Sequence, residues 1–315
     1  MNRASVGLSP AEVSLLVRVR DGEASRKSIA KVLGAPPSEL TRLVKSLESN
    51  GFIVVHKQGI SSSISFSEMK HAALLRRILN EFSHMRLERI LSLASLDIIA
   101  CLAVSPGSTR HEIMSCAGVS AKTLQTGLKR LKDLGVVRVR TRGVYETSDR
   151  FQLFSDFARE FNDYSNERTA REFCPDSVVV WQHCKEFITK TRCEKENADF
   201  KTTAFSMFNK YGVPLFQEWH YYYHHHGVWR RTPDEVFLQS LLVRPRSSRE
   251  MTAILMLWER NALNNHLDRL QEKARRYGLE DELQSIIAYF KDPKKNREAG
   301  FPPMSELREK LRSQG

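Results

Sequence analysis

The sequence lacks the features that mark membrane-spanning and secreted proteins. No run approaches the ~18 uncharged apolar residues that a membrane span needs. The first residues, MNRASVGLSPAEVSLL, show no charged-then-apolar secretory pattern. The five cysteines are an odd number at irregular spacing, which does not indicate a disulfide framework. These absences predict a cytoplasmic protein with reduced thiols.

Motifs that carry enzyme chemistry are also missing. The sequence has no phosphate-binding loop, no nucleophile motif and no carboxylate cluster. It also has no CxxC pair, which structural zinc sites commonly use. We therefore expect no enzyme, no catalytic residue, no cofactor and no metal ligand. A nucleic-acid-modifying enzyme remains as the least favoured alternative.

Acidic residues are scarce in the first half of the chain. The 315 residues carry a net charge of +12, and 41% of them are hydrophobic. Residues 1–150 hold 23 Lys and Arg against 13 Asp and Glu, whereas residues 151–315 hold 26 against 24. A basic half beside a near-neutral half indicates a polyanion-binding module, and a solvated basic surface is the alternative. The length suits two to three domains of ~100–150 residues.

The basic half contains an internal repeat with an offset of 84 residues and no gap. Ile29 aligns with Ile113 and Gly34 with Gly118. The later matched pairs are Leu40/Leu124, Val44/Leu128, Leu47/Leu131, Gly51/Gly135, Ile53/Val137, Val55/Val139, Gly59/Gly143 and Ile60/Val144. Three of the identical pairs are glycines at places where the chain must turn. A repeat of this kind predicts that the same structural unit occurs twice, whatever its individual elements are.

Each copy predicts three helices and a β-hairpin. The first helix lies near Ala11–Arg20 or Leu93–Val104. The second begins at Ser25 or Ser108 and ends at Gly34 or Gly118. The third begins at Ser38 or Ser120 and ends at Gly51 or Gly135. Its apolar face consists of Leu40, Leu43, Val44 and Leu47, or of Leu124, Leu128, Leu131 and Leu134. The hairpins are FIVVHKQGISSSISF and VVRVRTRGVYET.

This order of elements resembles the winged helix-turn-helix of MarR-like and ArsR-like transcription regulators, including those of archaeal type. Both copies share the pattern IxxxxGxxxxxLxxx(V/L)xxLxxxG with a hairpin behind it, over residues 8–66 and 92–147. The resemblance implies that the third helix enters the DNA major groove and that the hairpin, or wing, contacts the backbone or minor groove.

The candidate DNA contacts lie opposite the apolar face of each third helix. In the first copy they are Ser38, Thr41, Arg42 and Lys45, with Glu39 and Ser46 beside them, and Lys57 and His56 in the wing. In the second copy they are Lys122, Thr123, Gln125, Thr126, Lys129 and Arg130, with Arg138, Arg140 and Arg142 in the wing. Arg42, Gln125 and Arg130 suit base edges, and lysines and hydroxyls suit phosphates.

The second copy is predicted to be the better DNA reader because its helix and wing are more basic. Alternation along a strand would place its three wing arginines on one face. The first copy carries Glu39 and a serine-rich wing, and it serves either DNA or a protein partner.

A long amphipathic segment follows each wing. The first carries Leu74, Leu75, Ile78, Leu79 and Phe82, and the second carries Phe151, Phe154, Phe157 and Phe161. Such stripes either complete the core of the preceding winged helix or form the seam of a homodimer. Both interpretations stay open.

The remaining chain, beyond Cys174-Pro175, predicts a helix-rich α+β domain. DSVVVWQHCKEFITKT begins as a strand and is expected to turn helical. Thr232 and Pro233 mark a helix start, and helices continue to a last one in the tail. The segments TPDEVFLQSLLV and LDRLQEKARRYGLEDELQSIIAYF are similar to the C-terminal domain of AbiEi-type antitoxins and related archaeal regulators. That resemblance implies a nucleotidyltransferase-related domain. It would be non-catalytic here, since no Gly-Ser followed by Asp-x-Asp is present.

The segment HYYYHHHGVWRR has three interpretations. A metal site would use His220 and His224, or His224 and His226 on one strand face. A packed aromatic segment would bury the tyrosines. Nucleic-acid contact would use Trp229, Arg230 and Arg231.

The sequence thus predicts a mainly α protein with small β wings. Its domains are 1–84, a first winged helix with its trailing helix; 85–172, a second; and 173–315, an α+β effector or interaction domain. The expected function is a DNA-binding transcriptional regulator that acts on double-stranded DNA, either as a homodimer or as a monomer. Its C-terminal domain would sense a ligand or dock a partner such as the transcription machinery. An antitoxin-like repressor that neutralises a toxin through 173–315 is the main alternative.

Overall fold

The computed structural model describes residues 7–22, 24–58, 61–225, 229–243, 247–292 and 301–313. The chain forms two compact units, of which the first comprises residues 1–168 and 183–185 and the second comprises 169–182 and 186–315. Both are mainly α-helical with small antiparallel sheets. None of the helices within these residues combines the length and apolar character needed to cross a bilayer.

The first unit contains two successive sets of the same elements. The first set is α1 (Pro10–Val19), β1 (Ala24–Ser25), α2 (Arg26–Leu33), α3 (Pro37–Ser49), β2 (Ile53–Gln58), β3 (Ser61–Phe66) and α4 (Lys70–Glu81). After α5 (Leu87–Ile90), the second is α6 (Leu93–Val104), β4 (Ser108–Thr109), α7 (Arg110–Ala117), α8 (Ala121–Asp133), β5 (Val137–Thr141), β6 (Val144–Thr147) and α9 (Gln152–Phe173). Both α2 and α3 recur 84 residues later with identical lengths, which confirms the predicted repeat of helices.

Each set closes a three-stranded antiparallel sheet in the same order. The short strand before the second helix pairs with the far strand of the hairpin, giving β1-β3-β2 and β4-β6-β5. The predicted turn of the first hairpin, Gly59 and Ile60, lies outside the described residues. In the second hairpin, Gly143 has φ +82°, a left-handed conformation that glycine adopts without strain.

Helix boundaries follow the local capping chemistry. Gly34 and Gly118 end α2 and α7 in the left-handed conformation, as predicted. The N-cap of α7 is Thr109, one residue after the predicted Ser108, and it forms a reciprocal capping box with Glu112. α3 begins at Pro37 without a side-chain cap.

One continuous hydrophobic core fills the first unit. It extends from Leu8 to Phe161 and includes the apolar faces of α3 and α8. The four phenylalanines from Phe151 to Phe161 lie within it, each at most 6% exposed. The core interpretation of this stripe is therefore confirmed, and the homodimer stays a prediction. The predicted boundary between residues 84 and 85 falls inside this unit.

In the residues that the structure describes, the second unit packs five α-helices with a four-stranded sheet. Its strands are β7 (Val178–His183), β8 (Glu186–Thr191), β9 (Phe200–Thr202) and β10 (His220–His224), in the order β7-β8-β10-β9. A 3₁₀ segment, Ala204–Tyr211, precedes β10. The helices are α10 (Pro233–Val243), α11 (Ser248–Arg260), α12 (Leu267–Tyr277), α13 (Glu280–Lys291) and α14 (Met304–Ser313).

The sequence prediction for the start of this unit was partly wrong. The segment after the first strand forms β8 instead of a helix, because its residues pair in register with β10, for example Thr189 with Tyr222. The predicted helix start at Pro233 and the last helix in the tail are confirmed.

Candidate nucleic-acid interface

Helix α8 presents a polar and basic face to solvent. Ser120 caps its first turn by accepting a hydrogen bond from the backbone N–H of Thr123. The exposed side chains are Lys122, Thr123, Gln125, Thr126 and Lys129. The opposite face, Leu124, Leu128 and Leu131, is buried. The amphipathic pattern read from the sequence therefore places five of the six predicted α8 residues at the surface.

A close approach to α6 fixes the position of α8. A Cβ atom at Gly127 would lie 2.5 Å from Cδ1 of Ile98, which is fully buried in the core. Any side chain at this position would push the two helices apart or displace Ile98. The orientation of the polar face of α8 thus depends on this glycine.

Arg130 does not lie free on that face. Its side chain is half-buried, and Nη1 donates a hydrogen bond to Oγ of Ser92 at 3.1 Å. Ser92 is the N-cap residue of α6. The predicted role of Arg130 as a reader of base edges is therefore not supported by its placement, because its guanidinium points towards the first turn of α6.

A shallow pocket of about 280 Å³ opens where α6 begins beside α8. Its lining residues are Ala94, Lys122, Thr123, Thr126, Gly127 and Arg130. Two cations and two hydroxyls thus surround a space at the N-terminal end of a helix. Free backbone N–H groups and the positive end of the helix dipole favour anions at such a place.

The two threonine hydroxyls are already engaged within the helix. Thr123 Oγ1 lies 2.9 Å from Ser120 Oγ, and Thr126 Oγ1 donates to the carbonyl oxygen of Lys122 at 3.0 Å. In the part of the chain that the structure describes, no hydrogen bond or ion pair engages the side chains of Lys122, Gln125 and Lys129. These three side chains carry the donors of α8 that remain available to a ligand.

The three wing arginines do not form the predicted strip. Arg138 lies in β5, where Nε contacts Glu146 Oε1 at 2.7 Å and Nη1 contacts Asp149 Oδ2 at 3.2 Å. The hydrogen bond to Glu146 and the charge of Asp149 raise the pKa of Arg138. A register shift between Val139 and Thr141 leaves Arg140 at a β-bulge, and Arg142 lies in the turn.

Arg140 and Arg142 remain exposed at the tip of the hairpin. Neither has an ion-pair partner among the described residues, whereas Arg138 is largely neutralised by its two carboxylates. The cationic part of this wing is therefore its tip.

The first repeat keeps exposed donors on α3, but two of its predicted contacts are engaged within the protein. Ser38, Arg42, Lys45 and Lys57 are exposed. Thr41 is half-buried, and its hydroxyl donates to Pro37 O at 2.8 Å and accepts from Arg26 Nη2 at 3.1 Å. Ser46, predicted to face outward, donates to Glu12 Oε1 at 2.6 Å. The surface of α3 keeps Arg42 and Lys45 exposed but carries the acidic Glu39 between Ser38 and Leu40, so it is less uniformly basic than that of α8.

The second unit holds a buried network of charged and phenolic groups. Lys273 Nζ lies 2.6 Å from Asp234 Oδ2 and 2.8 Å from Glu235 Oε1. The Tyr277 hydroxyl donates to Glu235 Oε2 at 2.9 Å and accepts from Gln239 Nε2 at 3.2 Å. Burial opposes ionisation of Asp234, but its hydrogen bonds to Lys273 and Thr232 lower its pKa. Each group is bound to another, which is typical of a structural network.

The histidine-tyrosine segment forms the buried strand β10. Tyr221, Tyr222 and Tyr223 are each at most 5% exposed, which confirms the packed aromatic interpretation. No group of potential metal ligands among the described residues includes His220 or His224. His226 lies outside the described residues. Arg231 forms an ion pair with Glu196, so its predicted contact with nucleic acid is not supported.

All five cysteines meet in two clusters, which the sequence did not predict. Cys101, Cys116 and Cys184 come together in the first unit, and Cys174 and Cys193 meet beside Asp176 in the second. The adjacent helices α6 and α7 account for the proximity of Cys101 and Cys116. No local pattern indicates that Cys184, 68 residues beyond Cys116, joins them.

A comparison with protein-family models gives a match in the C-terminal part of the chain. A family model described as HVO_2833_C, C-terminal, matches residues 197–314, which is less than half of the chain. The chain matches no curated protein and no solved structure.

Proposed function

We propose that the protein is a DNA-binding transcriptional regulator built on tandem winged helices, and that its second repeat is the principal DNA reader. The observation that carries the proposal is the exposed face of α8. Its Lys122, Gln125 and Lys129 have no bonded partner among the described residues. In this architecture the third helix of each repeat lies in the major groove. Gln125 would pair with a base edge, and the two lysines would contact phosphates.

The pocket at the start of α6 supplies a place for one backbone phosphate. Lys122 and Arg130 contribute positive charge there, and the N-terminus of α6 adds the helix dipole. Arg140 and Arg142 at the hairpin tip would hold a second stretch of backbone. The proposal thus assigns phosphate contact to two places, the pocket beside α8 and the hairpin tip.

Binding of duplex DNA by the purified chain tests the proposal. The affinity, measured by fluorescence anisotropy, is expected to fall with salt, and each phosphate contact contributes about 0.9 to the slope of log K against log salt. The double variant Lys129→Ala/Arg142→Ala should weaken binding and lower the slope by about 1.8.

A charge-matched control separates a specific interface from general positive charge. The variant Lys210→Ala/Arg308→Ala removes the same charge from exposed positions of the second unit, and it should leave the slope unchanged. Arg138→Ala should affect binding less than Arg142→Ala, because Glu146 and Asp149 already engage Arg138. Equal losses in the double variant and its control would refute the proposed interface.

The C-terminal unit would serve ligand sensing or partner docking in this proposal. The antitoxin-like repressor, the homodimer and the nucleic-acid-modifying enzyme stay predictions, because none of the contacts described favours one of them. A location in the cytoplasm belongs to the proposal, since a regulator of this kind acts where its DNA is.

A further inference from the structure

Three cysteine sulfurs converge in the first unit. Cys101 lies on α6, Cys116 on α7, and Cys184 in the turn that follows His183. The Sγ atom of Cys116 contacts the Sγ atoms of both other cysteines, and those two lie 3.7 Å apart. A sulfur atom forms only one disulfide bond, so a disulfide would use two of the three and leave the third over.

The backbone of Cys184 is held in place by buried polar groups. Cys184 has φ +54°, a left-handed conformation that is unfavourable for a residue with a side chain. Its carbonyl oxygen accepts hydrogen bonds from Nδ2 of Asn162 at 2.7 Å and of Asn166 at 2.8 Å. Both asparagines are at most 5% exposed. Two buried amides therefore hold a strained turn in the position that directs this thiol to the other two.

A buried ion pair anchors the next residue. Lys185 Nζ lies 2.7 Å from Oδ2 of Asp97, whose side chain is 9% exposed. Asp97 and Cys101 are one turn apart on α6, so the same helix holds both Lys185 and the thiol of Cys184. Burial raises the pKa of Asp97, and the Lys185 charge opposes that shift. Buried polar anchors are costly to fold around, and here they all fix one cysteine.

We propose that Cys101, Cys116 and Cys184 bind one thiophilic d¹⁰ metal ion, either Zn²⁺ or Cu⁺. Thiolates select these ions over harder cations. With Zn–S bonds of about 2.3 Å and tetrahedral angles, two ligand sulfurs lie about 3.8 Å apart. The separation of 3.7 Å between Cys101 and Cys184 has this value. Cys116 lies at bonding distance from both sulfurs, so its half-buried side chain would move outward when the ion binds. Each thiol would release its proton to solvent as it binds.

The cluster offers three protein ligands. No His, Asp or Glu of the described residues joins the three sulfurs. Three thiolates satisfy a trigonal Cu⁺ ion, whereas Zn²⁺ would take a fourth ligand from solution. Cys116 is only half-buried, which gives the ion a route to the site. This proposal departs from the sequence-based expectation of no metal ligand, and it does not depend on DNA binding.

Metal content of the full, untagged chain tests the proposal. The protein is purified under reducing conditions from cells grown with added zinc or, separately, with added copper. Elemental analysis and titration against a chromophoric chelator measure the bound ion in each arm. We expect about one equivalent per chain, falling below about 0.1 in Cys116→Ser and in Cys184→Ser. The arm that retains its ion identifies the metal.

The second cysteine cluster supplies the matched control. Cys193→Ser alters the pair beside Asp176 and should keep the full equivalent. Circular dichroism verifies that each variant is folded, and Co²⁺ substitution reports thiolate ligation by its charge-transfer absorption. The proposal is overturned if folded wild-type protein takes up neither ion. It is also overturned if Cys184→Ser retains the metal or Cys193→Ser loses it, or if the reduced chain re-forms a Cys116 disulfide in preference to binding metal.

Discussion

Gly51 and Gly135 occupy equivalent places in the two repeats but have different surroundings. Both have positive φ, +69° and +74°, directly after the third helix. A Cβ atom at Gly51 would lie 2.9 Å from Cζ and OH of Tyr164 and 3.2 Å from Cε1 of His71. At Gly135 the nearest atom, Cε2 of Phe151, would be 3.9 Å away, an ordinary contact. Alanine substitutions at the two glycines therefore separate the cost of backbone strain, which both share, from the cost of steric overlap, which only Gly51 has.

We predict that Gly51→Ala destabilises the first unit more than Gly135→Ala. Both substitutions force alanine into the left-handed region, at about 1–2 kcal/mol. Overpacking adds about 1–3 kcal/mol at Gly51 alone. Of the two neighbours, His71 is held in place, because its ring packs between Phe161 and Tyr164 and its Nε2 contacts Asn50 O at 2.9 Å.

Thermal unfolding provides the assay. A difference of 1–3 kcal/mol corresponds to roughly 2–12 °C in Tm for a unit of this size. The four tryptophans, Trp181, Trp219, Trp229 and Trp258, all belong to the second unit. Tryptophan fluorescence therefore reports the second unit, and far-ultraviolet circular dichroism reports both. Equal Tm losses in the two variants would refute the steric argument. A loss seen only in the tryptophan signal would show that the destabilised region is the second unit, contrary to the prediction.

Two further predictions concern buried titratable groups. Burial lowers the pKa of His71, although its contact with Asn50 O and the charge of Glu160 oppose this. Below about pH 6.5 the unfolded chain therefore binds a proton at His71 more readily than the folded chain does, so the free energy of unfolding should fall as the pH is lowered. The urea midpoints measured at about pH 7.5 and 5.5 should differ less in His71→Gln than in the wild type. Lys273→Met should cost about 3–5 kcal/mol, because it leaves Glu235 buried without a cation and Asp234 with only the exposed Arg269. Its control Arg269→Met, at a side chain that is 60% exposed, should cost at most about 1 kcal/mol. Urea unfolding followed by tryptophan fluorescence compares the two, and a similar loss in both would contradict the assignment.

The sequence was informative where the signals are local. The ends of α2 and α7 follow from Gly34 and Gly118, because glycine adopts the left-handed conformation that terminates a helix. The polar and apolar faces of α8 follow from helical spacing. These features depend on residues within a few positions of each other. Because the repeat has no gap, each local pattern occurs twice, and the second occurrence supports the first.

What local spacing misses are partners that are distant in the chain. Helical spacing predicts Arg130 as a DNA contact, which stays a prediction, but it gives no sign of the hydrogen bond to Ser92, 38 residues earlier. The segment of β8 is rich in strand formers such as Phe187, Ile188 and Thr189, but its helical prediction ignored the distant partner β10 with which it pairs. Arg138 is neutralised by Glu146 across the hairpin, at a register that only the bulge defines.

The helix after the second hairpin also completes the first repeat. Phe52, just after α3, packs against Phe161 of α9 at a centroid distance of 4.7 Å. Arg168 on the same helix donates to Ser49 O at 2.8 Å and to Asn50 Oδ1. A fragment that ends at the second hairpin lacks α9 and would thus expose the apolar surface around Phe52 in the first repeat. The smallest expressible piece of this half therefore contains both repeats together with α9. Each repeat thus relies on a helix that follows the second hairpin, and the two repeats are expected to fold as one unit.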